Sequence, residues 1–398
     1  MENKPDIIWV STQDWNDVWT RKQRFAQCFA RSGHRVLYIE SQLHWLGYLR
    51  IKSVQRAYRL YQFLNRPKLV EPNLYIVTPP LLLPGQMMSR TINRINKYLL
   101  ISQILRLVKK YHFHNPVLWL YPPDSVELVG KFNESVVVFD CVDDWSQFKG
   151  LVSRKKVGGY MQFLFQKSDL VFVTHNNLYN KACNLAKNVY LVPNGVDPEH
   201  FEKSLRPETK IPDDIMSLPR PIIGFIGNVV YWLDFELIHY LASKRPSWSF
   251  VLIGPVASRA DVAILRSLPN VHFLGYRRYE ELPRYLKAFA ACINPFKLDN
   301  LSRSIDPLKV YEYLAAGKPI VSVDMPAISS FGDMVFVAHD RDSFLSALDI
   351  AVASTSEKKM IEMRIMHART HSWNKRFKQV NAALLNVISY KRDLNNSG

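Results

Sequence analysis

Short runs of apolar, often β-branched residues recur along this chain at intervals that each hold one amphipathic helix, and that alternation restricts the fold more than any other feature. The runs lie at residues 6–11, 35–40, 74–78, 117–121, 136–139, 170–174 and 189–192, with helical spacing at 21–32, 154–167 and 177–186. Residues 200–218 break the rhythm with Pro, Lys and Glu and read as an interdomain linker. The alternation then resumes, with runs at 222–226, 249–253, 271–274, 291–294 and 320–323, helices near 234–243, 260–266 and 279–289, and a last helix at 375–390. An α/β chain of two doubly wound domains follows, and 398 residues at 47% hydrophobic suffice for two cores. Ligands of such sheets collect at the carboxyl ends of strands, which directs attention to Asp140, Asp143, Asp144 and Trp145. Asp140 reads as a loop cap and Asp143 with Asp144 as the functional pair. No Gly-x-Gly-x-x-Gly follows the first run, which argues against a dinucleotide enzyme.

Charge is uneven. The formal net charge is +17, and residues 1–120 hold 18 Lys/Arg against 6 Asp/Glu, a net +12. Such a field attracts nucleic acid, anionic lipid or acidic glycan alike. Within it, residues 45–68 and 81–111 read as basic amphipathic helices with interleaved aromatics (Trp45, Tyr48, Arg50, Lys52, Arg56, Tyr58, Arg59 and Tyr61, then Met87, Met88, Arg90, Arg94, Lys97, Tyr98 and Leu99). They either lie in an anionic headgroup region or pack on the sheet with solvated charges. No apolar run reaches the ~18 residues that span a bilayer, and no signal peptide is evident, so a cytoplasmic location is expected. Cys28, Cys141, Cys183 and Cys292 are scattered, which points to buried free thiols rather than zinc or disulfides.

The chemistry-bearing stretch runs from Asp306 to Ser322. Asp306 suits an N-cap, Pro307 the first helical position and Gly317 the left-handed residue beyond the end, so residues 307–316 are expected as one short helix. Lys309 and Glu312 share a face of it, with the lysine nearer the N-terminus, where an anion is favoured. The pair either holds a nucleoside diphosphate, with Lys309 on phosphate and Glu312 on ribose hydroxyls, or is a surface ion pair without a ligand. Asp340-Arg341-Asp342 matches a metal-binding Asp-x-Asp formally, but Asp342 reads as a helix cap.

Pro307-Leu-Lys-Val-Tyr-Glu-Tyr-Leu-Ala-Ala-Gly-Lys-Pro-Ile-Val321 resembles the nucleotide-sugar motif of the family 4 retaining glycosyltransferases, which have the GT-B fold of two Rossmann-like domains facing each other across a cleft. Leu191-Val-Pro-Asn-Gly-Val-Asp197 is similar to the segment that closes the family's N-terminal domain, and Pro221-Ile-Ile-Gly-Phe-Ile-Gly227 to the opening of its C-terminal one. Val137 to Trp145 and Trp15 to Ala26 are similar to a bacterial subgroup that assembles surface polysaccharides. The resemblance implies an acceptor domain at 1–200, a nucleotide-sugar domain at 201–374 and a helix at 375–398 returning toward the first. It implies donor contacts from Gly227, Asn228, Tyr276, Arg303, Ser304, Lys309 and Glu312, acceptor-side contacts from Asp14 and Trp15, and a catalytic neighbourhood at Asp143 and Asp144. Ser304 stands where the family's Glu-x7-Glu motif has its first carboxylate.

The expected activity is transfer of a sugar from a UDP-, GDP- or dTDP-sugar to a glycan or lipid-linked acceptor, without a metal, at the inner membrane face. A nucleotide-sugar epimerase on the same fold is the alternative. A noncatalytic nucleic-acid binder is disfavoured, since no recognised nucleic-acid module accompanies the charge.

Overall fold

The computed structural model describes residues 4–43, 45–50, 53–64, 67–85, 88–148, 153–258, 260–300 and 302–396; Lys52 and Met87 lie outside them. The chain divides into two units, Met1–Pro193 with Phe377–Gly398, and Asn194–Arg376.

The first unit carries strands β1 (Ile7–Val10), β2 (Val36–Ile39), β3 (Lys68–Glu71), β4 (Leu74–Val77), β5 (Val117–Leu120), β6 (Val136–Cys141), β7 (Leu170–Val173) and β8 (Val189–Leu191). Its helices are α1 (Arg21–Arg31), α2 (Trp45–Arg50), α3 (Ser53–Leu64), α4 (Arg90–Lys110), α5 (Arg154–Lys167) and α6 (Asn176–Ala182). The strands form one sheet in the order β3-β4-β2-β1-β5-β6-β7-β8, parallel except for β3. Its central strands are apolar except for Asp140 of β6, as expected of a parallel sheet buried on both faces. Trp9 stacks on Trp119 with ring centroids 4.6 Å apart, and Phe29 of α1 meets both rings. The expected helix at 45–68 is instead α2, α3 and the edge strand β3. Asn73, at φ 67, turns the chain so that Lys68-Leu-Val-Glu71 pairs antiparallel with β4.

The second unit contains α7 (Pro198–Glu202), α8 (Asp213–Met216), β9 (Ile222–Ile226), α9 (Phe235–Lys244), β10 (Ser249–Ile253), α10 (Ala263–Arg266), β11 (Val271–Gly275), α11 (Leu282–Ala288), β12 (Ala291–Asn294), α12 (Leu308–Ala315), β13 (Ile320–Val323), β14 (Phe336–Ala338), α13 (Arg341–Ala353) and α14 (Lys358–Thr370). Six parallel strands run β11-β10-β9-β12-β13-β14. The final helix α15 (Trp373–Asn396) begins here and belongs to the first unit from Phe377 onward.

Two readings of organisation are corrected. Residues 200–218 are no linker: Phe201 and Ile215 are fully buried in the second core, and His200 stacks on Tyr279 at 4.2 Å. Apolar anchors spaced among the charges hold that segment down. The division falls after Pro193 rather than at 200, and α15 starts at Trp373 rather than 375. The Asn194-Gly-Val-Asp197 segment therefore opens the second unit. Asn194 donates its backbone N–H to Asp306 Oδ2 at 2.5 Å, and Val196 exchanges backbone bonds with His371 and Trp373. A Cβ on Gly195 would stand 2.9 Å from His371 O and 3.0 Å from the Trp373 ring, so only glycine permits that approach.

No helix among the described residues is long and apolar enough to cross a membrane. The thiols are unpaired, but Cys183 is exposed and Cys28 half-buried, unlike Cys141 and Cys292.

Candidate functional site

Both parallel sheets reverse their strand order once, between β1 and β5 and between β9 and β12, and the carboxyl edge at such a reversal leaves a crevice. In the second unit that edge is built by close backbone approach. Gly227 donates to Ile253 O at 2.8 Å, and a Cβ on Gly254 would lie 2.0 Å from Gly227 O. The turn after β9 therefore sits against the turn after β10. Tyr313 of α12 fixes the helix to the same place: its hydroxyl accepts from Ile226 N at 2.8 Å and donates to Ile226 O at 3.3 Å.

One residue earlier on α12, Glu312 is 4% exposed and accepts from Lys309 Nζ at 2.8 Å. A carboxylate so buried costs stability unless its partners repay the lost hydration, and a bond to a half-buried lysine does so only in part. Ser304 is buried and Arg303 exposed on the turn Ser302–Ser304 that connects β12 to α12. Asn228 follows Gly227, and Tyr276, 56% exposed, follows β11 at the same edge. The structure thus joins Lys309 to Glu312 and, through Tyr313, to the Gly227 turn.

Two cap assignments fail. Asp306 does not cap α12, whose N-cap is Pro307 with no side-chain bond. Both its oxygens are engaged, Oδ2 with Asn194 N–H and Oδ1 with the Tyr311 hydroxyl at 2.9 Å. A partner 112 positions away in sequence outcompetes the local cap. Asp340, not Asp342, caps α13 by accepting from Ser343 N, while Asp342 accepts from the Tyr240 hydroxyl. Among the described residues no group of three or more His, Cys, Asp and Glu is placed to hold a metal ion.

In the first unit the reversal point holds a cavity of about 170 Å³ lined by Ser11, Thr12, Ser41, Gln42, Pro122, Asp124 and Trp145. Lys97 reaches it from α4, donating to Gln42 Oε1 at 2.6 Å and pairing with Asp124 Oδ2 at 3.1 Å. Asp140 is not a loop cap. Strand β6 runs one residue past it, so its fully buried carboxylate faces Arg21, whose Nε donates to Oδ2 at 3.2 Å and Nη2 lies 3.0 Å from Oδ1.

Asp143 and Asp144 lie in different surroundings. Asp144 accepts from Ser146 N and Oγ and from Lys181; burial works to raise its pKa, but these bonds outweigh it and hold the carboxyl below the usual range. Its oxygens are spent on the turn. Asp143 is pushed above the usual carboxylate range by desolvation, against the pull of Lys22 and Arg21. Lys22 is lowered by its own burial, which Asp143 and Asp140 oppose, and its ammonium lies 5.4 Å from the centre of the Tyr121 ring.

Asp14 and Trp15 are both held at the end of the first sheet. Asp14 accepts from Ser41 N and Oγ and from Arg59, and Trp15, 8% exposed, donates its N–H to Glu40 and packs edge-on against Trp19 and Tyr38. The polar loop folds back on the sheet end because Ser41 and Glu40 offer it partners there. Lys22 and Arg21 were not singled out from the sequence. A signal existed: two cations in the first turn of a helix oppose the helix dipole and imply nearby carboxylates.

Residues 220–354 match the family model described as glycosyl transferases group 1. With the sequence relationship given next, this places the chain in the group 1 glycosyltransferases. A Bacillus subtilis (strain 168) protein named as a teichuronic acid biosynthesis glycosyltransferase, TuaH, is 30% identical over 283 residues, covering 66% of this chain and 70% of that one. Sucrose-phosphate synthase from Thermosynechococcus elongatus superposes with a TM-score of 0.72 at 14% identity, over 97% of this chain and all of that one. Anabaena HepE in complex with UDP and glucose gives 0.62 at 12% identity, over 96% and 99%. At these identities the structural likeness speaks for the fold, which is GT-B.

Proposed function

We propose that this glycosyltransferase takes its sugar from a nucleoside diphosphate donor and passes it, with retention of configuration, to a glycan or lipid-linked acceptor during surface-polysaccharide assembly on the cytoplasmic face. The observation that carries the donor assignment is the nearly buried Glu312, paired with Lys309 and docked through Tyr313 at the carboxyl edge of the second sheet. Glu312 accepts from vicinal ribose hydroxyls, and Lys309 with the first turn of α12 takes the diphosphate. Residues 228–235 contain neither Lys nor Arg, so Lys309 and Arg303 supply the positive charge. That charge replaces a divalent cation, and no metal is needed. Tyr276 brackets the base. The Anabaena protein of the same fold was solved with UDP, and the Bacillus relative is named for teichuronic acid, which favours a nucleotide sugar and a surface glycan here. In the first unit Asp143, with its raised proton affinity, is the carboxyl suited to general acid–base work; Asp144 is not.

Titration calorimetry with UDP, GDP and dTDP tests the donor site. Glu312→Ala should weaken the preferred nucleotide about tenfold or more, the worth of charge-assisted bonds of roughly 1.5–3 kcal/mol, while the fold survives. Unchanged affinity would remove the ribose assignment. Incubation of the parent with nucleotide sugars, acceptor and chelator should release free nucleotide; an isomerised nucleotide sugar with no release would identify an epimerase instead.

A further inference from the structure

The first half of α4 is inverted relative to an ordinary surface helix. Asn93, Asn96 and Lys97 are fully buried, whereas Ile95, Tyr98 and Leu99 are 49%, 70% and 44% exposed. A helix on a protein core normally shows the opposite pattern. The inner face is polar because it bonds to residues that line the cavity of the first unit, with Lys97 on Gln42 and Asp124 and Asn93 donating to Asp124 O at 3.1 Å. The apolar side chains are left outward, where water is a poor medium for them.

Neighbouring segments extend the patch. Asn96 clasps Leu83, donating to its carbonyl and accepting from its N–H at 2.8 Å each, which sets the exposed Leu83 beside α4. Leu82 bonds through its backbone to Leu43 and Trp45 at 3.0 Å, which brings Trp45, 42% exposed, beside the segment that carries Leu83. The segment that carries this surface, residues 45–110, contains 12 Lys/Arg and one Asp/Glu, a net +11, of which Lys97 and Arg59 are spent inside the unit on Asp124 and Asp14. Arg90 and Arg94 flank the patch on α4; they share the single carboxylate of Glu127, at 3.5 and 3.4 Å, and stay about two-thirds exposed.

We propose that this face docks the protein onto an anionic lipid bilayer, with Ile95, Tyr98, Leu99, Leu83 and Trp45 in the headgroup–acyl boundary and the arginines on lipid phosphates. Charge selects the occupant: a second copy of the chain would set the same exposed arginines of the same basic segment against these, whereas an anionic membrane is complementary in both charge and polarity. No described helix suits a span, so the contact is interfacial. It puts apolar medium on one face of α4 and the polar cavity on the other. The reading goes beyond the donor assignment and does not depend on it.

The test is cosedimentation of the full chain, without nucleotide, with phosphatidylcholine vesicles containing or lacking phosphatidylglycerol. The parent should bind only the anionic vesicles, and less so as salt rises. The triple variant Ile95→Ser, Tyr98→Ser, Leu99→Ser should lose at least about tenfold in partitioning while keeping its nucleotide affinity. If that variant misfolds, Tyr98→Cys carrying an environment-sensitive fluorophore should shift to the blue on addition of anionic vesicles. Equal binding of parent and variant, equal binding to both lipids, or an unshifted label overturns the proposal. So does a parent dimer that the triple variant splits without any change in vesicle binding, which would make the face an interface between copies.

Discussion

Asp306 shows how one side chain serves a distant partner in preference to its own helix. Its two oxygens hold the Asn194 N–H and the Tyr311 hydroxyl, both buried. An amide at this position has one acceptor oxygen in place of two and turns a donor toward one of those groups. Asp306→Asn should therefore cost about 1–3 kcal/mol, the penalty of an unsatisfied buried donor, and Asp306→Ala more. Urea unfolding measures it. A capping aspartate would tolerate the asparagine almost freely, so a parent-like midpoint for Asp306→Asn would show that these bonds carry little weight.

At the scale of elements, the second site depends on two turns in contact. Gly254 has φ +144 and leaves no room for a Cβ against Gly227 O. Gly254→Ala must push the turn after β10 away from the turn after β9, at about 1–3 kcal/mol by analogy with overpacked cores. Because the Gly227 turn is tied through Ile226 to Tyr313 and hence to Glu312, the same substitution should also weaken nucleotide binding. A variant with parental urea stability and parental nucleotide affinity would show that the turns move independently. Helix α4 teaches a different lesson: its hydrophobic residues are right for a helix, yet which face they occupy is decided by the polar cavity beneath.

For the whole molecule, the paired histidines His367 and His371 of the second unit contribute to its response to acid. His371 is lowered to about 4, first by burial and then by Arg376 and His367. Its Nδ1 accepts from Arg376 at 2.5 Å, so Nε2 carries the proton and faces His367 at 3.1 Å; protonating Nδ1 would set two donors against each other. The unfolded chain binds this proton near pH 6.5 and the folded one only near pH 4. Between those values the unfolded state holds more protons, and stability must fall as pH falls through that window. His367 is shifted the same way by its burial. Melting temperatures taken from pH 7 to pH 4.5 should drop in the parent and drop less in His371→Gln, whose side-chain carbonyl still accepts from Arg376. A variant with the full parental acid loss would place the effect elsewhere.

The sequence by itself determined the elements that rest on local order. The strand runs of both units other than β3 and β14, the short α12 bounded by Pro307 and Gly317, and the Lys309–Glu312 face all follow from periodicity and from residues that start or stop a helix, because these act within a few positions. What the tertiary structure alone decided concerns buried polar groups. Asp140 found Arg21, 119 positions away, Asp306 found Asn194, and residues 200–218 were drawn into a core by Phe201 and Ile215. A buried charge must be satisfied by whatever the folded chain brings within bonding distance, and that choice has no periodicity along the sequence. The same reason separates Asp143 from Asp144. They are adjacent in sequence, but one meets Lys181 and the Ser146 turn while the other is left desolvated near Lys22.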